Sequence, residues 1–88
     1  MVERRVVVGS SVGLHARPAA LFVKAAAEQP VPVTIGVGDG DPVDARSLLS
    51  VMGLGACRGD EVVLRADGPE AESALSALAT VLSADHDA

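Results

Sequence analysis

Eighty-eight residues, 49% of them hydrophobic, suffice for one domain around one core, and a single Phe with no Tyr or Trp makes that core aliphatic. Twelve acidic against seven basic side chains leave a formal charge of −5, so the counterion release that drives binding to a phosphate backbone is lacking, as is the aromatic platform of single-strand binders. Nucleic acid is thus not an expected partner, and a lone cysteine, Cys57, excludes an internal disulfide and a cysteine zinc cluster and fits a cytoplasmic setting.

Residues 2–8 alternate as a strand, with Val2, Val6 and Val8 on one face and Glu3, Arg5 and Val7 on the other. The β-branched run Val6 to Val8 favours that reading. It is too short for a signal sequence or a membrane span, so the chain reads as starting directly in a strand, complete as written and without membrane insertion. Gly9-Ser10-Ser11-Val12-Gly13 is small and flexible and predicts a loop. A helix follows from His15 or Ala16. Pro18 falls in its first turn, where an N–H would have no partner anyway. Ala19, Phe22, Val23 and Ala26 recur at i, i+3, i+4 and i+7 as an apolar stripe, and Pro30 and Pro32 stop the helix near Gln29.

Val31 to Val37 alternates again as a second strand. Gly38-Asp39-Gly40-Asp41-Pro42 predicts a turn, and Val43-Asp44-Ala45 a short antiparallel return that Pro42 confines to a sheet edge. Ser47 is placed to N-cap a short helix through Met52, ended by Gly53 or Gly55. Leu48, Leu49, Val51, Met52 and Leu54 surround that helix, more apolar side chains than one face can bury. Cys57-Arg58-Gly59-Asp60 reads as a loop, and Glu61 to Ala66 as the last strand, with Val62, Leu64 and Ala66 on one face. Asp67-Gly68-Pro69-Glu70 opens the final helix, Pro69 in its first turn and Glu70 and Glu72 suited to the dipole, with Ala71, Leu75, Leu78 and Leu82 as its buried stripe. Residues 85–88 read as a frayed tail. The order β-α-β-β-α-β-α predicts one α+β domain spanning 1–88, a four-stranded, mostly antiparallel sheet with helices layered on one side.

The stretch Gly13-Leu14-His15-Ala16-Arg17-Pro18-Ala19 is the chemical candidate. The first amides of a helix have no intrahelical partner and the macrodipole adds partial positive charge, so an anion is welcome there. His15 contributes an imidazole, whose neutral form keeps one ring nitrogen free for attack on phosphorus. Arg17 contributes a fork-shaped donor for phosphoryl oxygens, and the N–H groups of Ala16 and Arg17 can point at the same group. Taken without context, a histidine beside an arginine is usually a surface side chain or a cap. No second metal ligand stands at helical or strand spacing from His15, so neither a metal nor a cofactor is expected.

These residues resemble the phosphohistidine signature of HPr, the phosphocarrier family of the bacterial phosphoenolpyruvate-dependent sugar phosphotransferase system. Arg46-Ser47-Leu48-Leu49-Ser50-Val51-Met52-Gly53-Leu54-Gly55 is similar to that family's regulatory-serine segment, and the likeness runs from the first strand through Leu82. The resemblance implies an open-faced β-sandwich of four antiparallel strands covered on one face by three helices. It implies that phosphorylated enzyme I passes a phosphoryl group to Nδ1 of His15, which passes it to sugar-specific IIA domains. Arg17 would stabilise the phosphoryl oxygens, and the chain would be a cytoplasmic, monomeric carrier and not an enzyme.

Ser47 has two readings, an N-cap or, by the resemblance, a site for the ATP-dependent HPr kinase that some bacteria possess; the two are compatible. Leu48, Leu49 and Met52 read either as core or, as in the family, as the surface that docks enzyme I and IIA domains. Val12 departs from the family, standing where relatives often have Asn or Ser, as does Ser50, standing where glycine is common. The hairpin before Ser47 is one residue longer than in several relatives. A nitrogen-type phosphotransferase branch, a pure effector and a plain interaction module are the rival readings of the same residues.

Overall fold

The alternating valines of the N-terminus form β1 (Val2–Val7), and the apolar stripe after Pro18 forms α1 (Ala16–Ala27). There follow β2 (Thr34–Val37), β3 (Val43–Asp44), α2 (Leu48–Gly53), β4 (Glu61–Ala66) and α3 (Ala71–Ser83). The structure is a computed structural model that describes residues 1–84, so the tail expected at 85–88 lies outside the described residues. All pairings are antiparallel and the strand order is β1-β4-β2-β3, with β4 running between β1 and β2. The expected element order and open-faced α+β sheet are what the chain adopts.

Several boundaries differ from expectation, with β1 closing at Val7 and β3 at Asp44, each one residue early. The second strand begins at Thr34, three residues later than its alternation predicts, because Pro30 and Pro32 bring no N–H to a ladder. Even so, Val33 is buried, and its carbonyl accepts the N–H of Ala45 at 3.0 Å, prolonging the β2–β3 pairing irregularly. Pro69 lies outside α3, in the turn before the N-cap residue Glu70, so Glu72 alone supplies acid to the first turn. α1 closes two residues early, at Ala27, with Glu28 as its C-cap.

One sheet face and the inner faces of the helices share a core in which Phe22, Ile35, Val51, Val62, Leu64, Leu75 and Leu78 are fully buried. Each such apolar side chain contributes about 1.5–3 kcal/mol relative to exposure. α3 packs on β1, β4 and α1, while α2 packs on α1 and β3. The outer sheet face is ionic: Arg65 Nε reaches Glu3 at 2.9 Å, and Arg5 reaches Glu61 at 3.0 Å and Glu3 at 3.7 Å. Val63 is buried on that face, between Arg5 and Gly36 in the register. Gly36 has no side chain to hold off the hairpin, so the Gly40 carbonyl oxygen lies 3.2 Å from where a Cβ would sit.

The loop after β1 is clamped to the end of α3. Gly9 N–H donates to the Leu82 carbonyl at 3.0 Å, and a Cβ on Gly9 would overlap the Ser83 carbonyl oxygen. Gly9→Ala is therefore expected to cost about 1–3 kcal/mol in urea unfolding. Gly53→Ala, at the end of α2 where a Cβ meets nothing within 4 Å, is expected to be neutral or stabilising by up to about 1 kcal/mol.

Candidate functional site

Gly13 sets the site. Its φ of +72° lies in the left-handed region, and a Cβ there would overlap the Ala56 carbonyl oxygen and come within 2.9 Å of the Cys57 Cα. With that space empty, the chain lies against the segment leaving α2. Leu14 N–H donates to the Ala56 carbonyl at 2.9 Å, and the Leu14 side chain is buried. Gly13 N–H closes a turn onto the Ser10 carbonyl at 3.0 Å. His15 is thus held between an anchored Leu14 and a helix whose next residues, Pro18 and Ala19, are buried.

His15 is the N-cap of α1, in an extended conformation (φ −139°, ψ 151°), and its side chain makes no cap hydrogen bond and is exposed. Ala16 comes next with φ +47°, and among the described residues it is the non-glycine residue with positive φ. For an L-residue that conformation costs about 1–2 kcal/mol. Arg17 is exposed and, among the described residues, forms no ion pair. Because Pro18 has no N–H, the donors of the first turn reduce to the amides of Ala16 and Arg17, in sequence next to the imidazole. Among the described residues, an exposed imidazole, an exposed guanidinium without an ion pair and two amides without a helical partner thus follow one another at one helix start, the kinds of group that bind an anion.

Ser47 is the N-cap of α2. Its Oγ accepts the Ser50 N–H at 3.3 Å and pairs with Ser50 Oγ at 3.0 Å. Beside it, Arg46 binds Asp44 through its side chain (Nε and Nη2 each at 3.2 Å) and its backbone N–H (2.9 Å). The Arg46 guanidinium, followed by that N–H, holds the Asp44 carboxyl below its ordinary range. Of the apolar candidates, Leu49 is 85% exposed and Leu48 43%, whereas Met52 is half-buried against the core and Val51 fully buried. Val12 adds a further exposed apolar side chain at 55%. Residues 15–17 are thus contiguous at one helix start. Ser47 and Leu48 lie at the end of α2 opposite the Gly55–Ala56 segment on which Leu14 rests.

Reading the residues alone missed the left-handed Ala16, for alanine is the strongest helix former and signals no strain. It also left the Cys57–Asp60 turn as an undifferentiated loop. Cys57 N–H donates to Asp60 Oδ2 at 2.9 Å, Asp60 N–H returns to the Cys57 carbonyl at 3.0 Å, and Gly59 N–H binds the Val8 carbonyl at 2.9 Å. The acid three residues after Cys57 and the glycine before it were the available signal. Among the described residues no group of three His, Cys, Asp or Glu could hold a metal, and no helix is long and apolar enough to cross a membrane.

A family model described as the PTS HPr component phosphorylation site matches residues 2–84. The phosphocarrier protein HPr of Streptomyces coelicolor is 55% identical over 83 residues, covering 94% of this chain and 89% of that protein. A crystal structure of HPr from Bacillus anthracis superposes with a TM-score of 0.86 at 40% identity, covering 92% of this chain and 95% of the other. The HPr dimer from Thermoanaerobacter tengcongensis gives 0.68 at 37% identity, covering 92% of each chain. A monomer is therefore not a rule that extends to all relatives.

If Ala16 is held in its strained conformation by the flanking anchors, Ala16→Gly is expected to be neutral or to stabilise by up to about 1 kcal/mol. Ala20→Gly, on the exposed face of the same helix, should lose about 1 kcal/mol. Urea unfolding of the pair measures the difference, and equal losses would show that Ala16 stores no strain.

Proposed function

Because this chain belongs to the HPr family, the phosphocarriers of the phosphotransferase system, we propose that it accepts a phosphoryl group on His15 from phosphorylated enzyme I, charged by phosphoenolpyruvate, and donates it to sugar-specific IIA domains during sugar uptake in the cytoplasm. The observation that supports this most is the placement of His15: an exposed N-cap imidazole without a capping bond, followed by two amides that have no helical partner. In the loading step the lone pair of the ring nitrogen, Nδ1 by the family resemblance, attacks phosphorus. The N–P bond forms as the bond from phosphorus to the donor breaks, and the donor keeps that electron pair. Unloading runs the same exchange in reverse, the N–P electrons returning to the imidazole as the acceptor's nucleophile takes the phosphoryl group.

Phosphoryl transfer needs positioning and charge neutralisation more than covalent chemistry from the protein. Arg17 supplies a delocalised cation, and the N–H groups of Ala16 and Arg17 supply fixed dipoles, for the three equatorial oxygens. Val12 brings no donor to this set. The chain is in this reading a carrier that ends each cycle as it began, and partner proteins supply the catalysis. Leu48, Leu49 and Met52 form the apolar part of the surface those partners touch.

Ser47 supports a regulatory reading of the same protein. A phosphate on its Oγ would keep the bond accepted from Ser50 N–H and would lie at the positive end of α2, where it is electrostatically tolerated. An ATP-dependent HPr kinase would be the enzyme responsible.

Incubation with radiolabelled phosphoenolpyruvate and enzyme I is expected to give an acid-labile, alkali-stable phosphate that disappears in His15→Ala; label persisting in that variant would overturn the assignment of His15. With ATP and an extract of the source cells, an acid-stable phosphate lost in Ser47→Ala is the expected second signal. Its absence would leave Ser47 as a helix cap alone.

A further inference from the structure

Two hydrogen bonds join Ser47 and Ser50, and they differ in what they require. The Ser50 N–H, which has no partner inside the helix, donates to Ser47 Oγ at 3.3 Å. That bond needs only the backbone of residue 50. The other runs from the Ser47 hydroxyl to Ser50 Oγ at 3.0 Å and needs the side chain, so the glycine common at this position in the family could not form it. A side chain at position 50 can also serve by reaching back to the N–H of the capping residue. Here the Ser47 N–H is already taken by the Asp44 carbonyl at 3.1 Å. The Ser50 hydroxyl is thus committed to the Ser47 side chain.

A serine oxygen carries one proton and two lone pairs. At Ser47 the proton points to Ser50 Oγ and one lone pair takes the Ser50 N–H, which leaves one lone pair for attack on phosphorus. In transfer from ATP that lone pair forms the O–P bond as the bond from phosphorus to ADP breaks, ADP keeps the electron pair, and the hydroxyl proton leaves to a base of the kinase. Ser50 Oγ then receives no proton from Ser47. It keeps its own O–H, which turns by rotation about a single bond. The terminal phosphate oxygens lie two bonds from Ser47 Oγ, within reach of a hydroxyl whose oxygen is 3.0 Å from that atom. A hydroxyl donating to a phosphate dianion makes a charge-assisted bond, stronger than the neutral bond it replaces.

We propose that Ser50 is a positioning residue for modification of Ser47, its hydroxyl accepting from the Ser47 hydroxyl in the free chain and donating to the phosphate once Ser47 is esterified. The same side chain thereby orients the oxygen before transfer and holds the product after it. Both serines are half-buried, so the pair is partly shielded from competing water. This inference rests on the regulatory reading of Ser47.

The full chain is phosphorylated with ATP and an HPr kinase, and the Ser47 phosphate is titrated by phosphorus-31 NMR. A donor that favours the dianion lowers the second phosphate pKa from its usual value of about 6. Ser50→Ala keeps the backbone N–H and loses the hydroxyl, and its phosphate is expected to titrate about half a pH unit above that of the unaltered chain. Ser50→Thr keeps a hydroxyl and should restore the lower value. The charged groups around the site, Asp44 and Arg46 before Ser47 and Arg17 and Lys24 of α1, on which α2 packs, are the same in every variant, so the comparison isolates the hydroxyl. A residue that merely supports the helix would change unfolding without moving this titration. Equal pKa values in the unaltered chain and Ser50→Ala, or an Ala-like value in Ser50→Thr, overturn the role of Ser50 and leave Ser47 as a modified residue. If the kinase labels neither the unaltered chain nor Ser50→Ala, the regulatory reading of Ser47 falls, and this inference falls with it.

Discussion

The contact on which the site depends is between two stretches of backbone. Gly13 and Leu14 lie on Ala56 and Cys57, joined by the Leu14 N–H to Ala56 carbonyl bond and possible only because position 13 has no Cβ. A loop entering a helix would otherwise be tethered at one end. Here it is pinned on both sides, by buried Leu14 before the histidine and by buried Pro18 and Ala19 after it. The histidine and its neighbours are then exposed without being loose, which a group-transfer site needs, since misplacing the reacting atoms by about 1 Å can cost a hundredfold in rate.

Pinning both ends also accounts for Ala16. Leu14 fixes where the chain leaves the loop, and the α1 stripe of Ala19, Phe22 and Ala26 fixes where the helix axis lies. The residues between must span that gap, and Ala16 absorbs the mismatch in a left-handed φ of +47°. Burial of the flanking side chains, at about 1.5–3 kcal/mol each for Leu14 and Phe22, exceeds the 1–2 kcal/mol or so of strain. The strain is held at the residue whose amide faces the phosphoryl position in the proposed mechanism.

What could be read from residues alone follows from which forces are local. The strand alternation of the N-terminus and of 61–66, the α1 stripe, the cap at Ser47 and the turn after Val37 are short-range consequences of side-chain type, and they stand in the structure, the first strand closing at Val7. Val31–Val33 failed as strand because two prolines outweigh alternation where ladder bonds must form. Pro69 suits a first turn by residue type but precedes the N-cap Glu70, because proline is equally accommodated in the turn that leads into a helix. The order β1-β4-β2-β3, the buried Val63 and the left-handed Ala16 arise from contacts distant in the chain, and no local pattern announces them. The candidate site was more legible than its support: His15, Arg17 and Gly13 stand together in sequence, whereas Ala56 and the Cys57–Asp60 turn reach them only through the fold.

The ion pairs show how one chain serves both needs of charge. On the outer sheet face, cross-strand pairs such as Glu3 with Arg65 satisfy charges where β1 meets β4, each a modest contribution because the partners remain partly solvated. Their greater effect is on what is left over. Acids engage Arg5, Arg46 and Arg65, whereas among the described residues Arg17, two positions after His15, is exposed and has no ion pair. In an acidic protein, orientation in an encounter is then set by the few charges not cancelled at home. Pairing is thus a means of selecting which cations a partner meets.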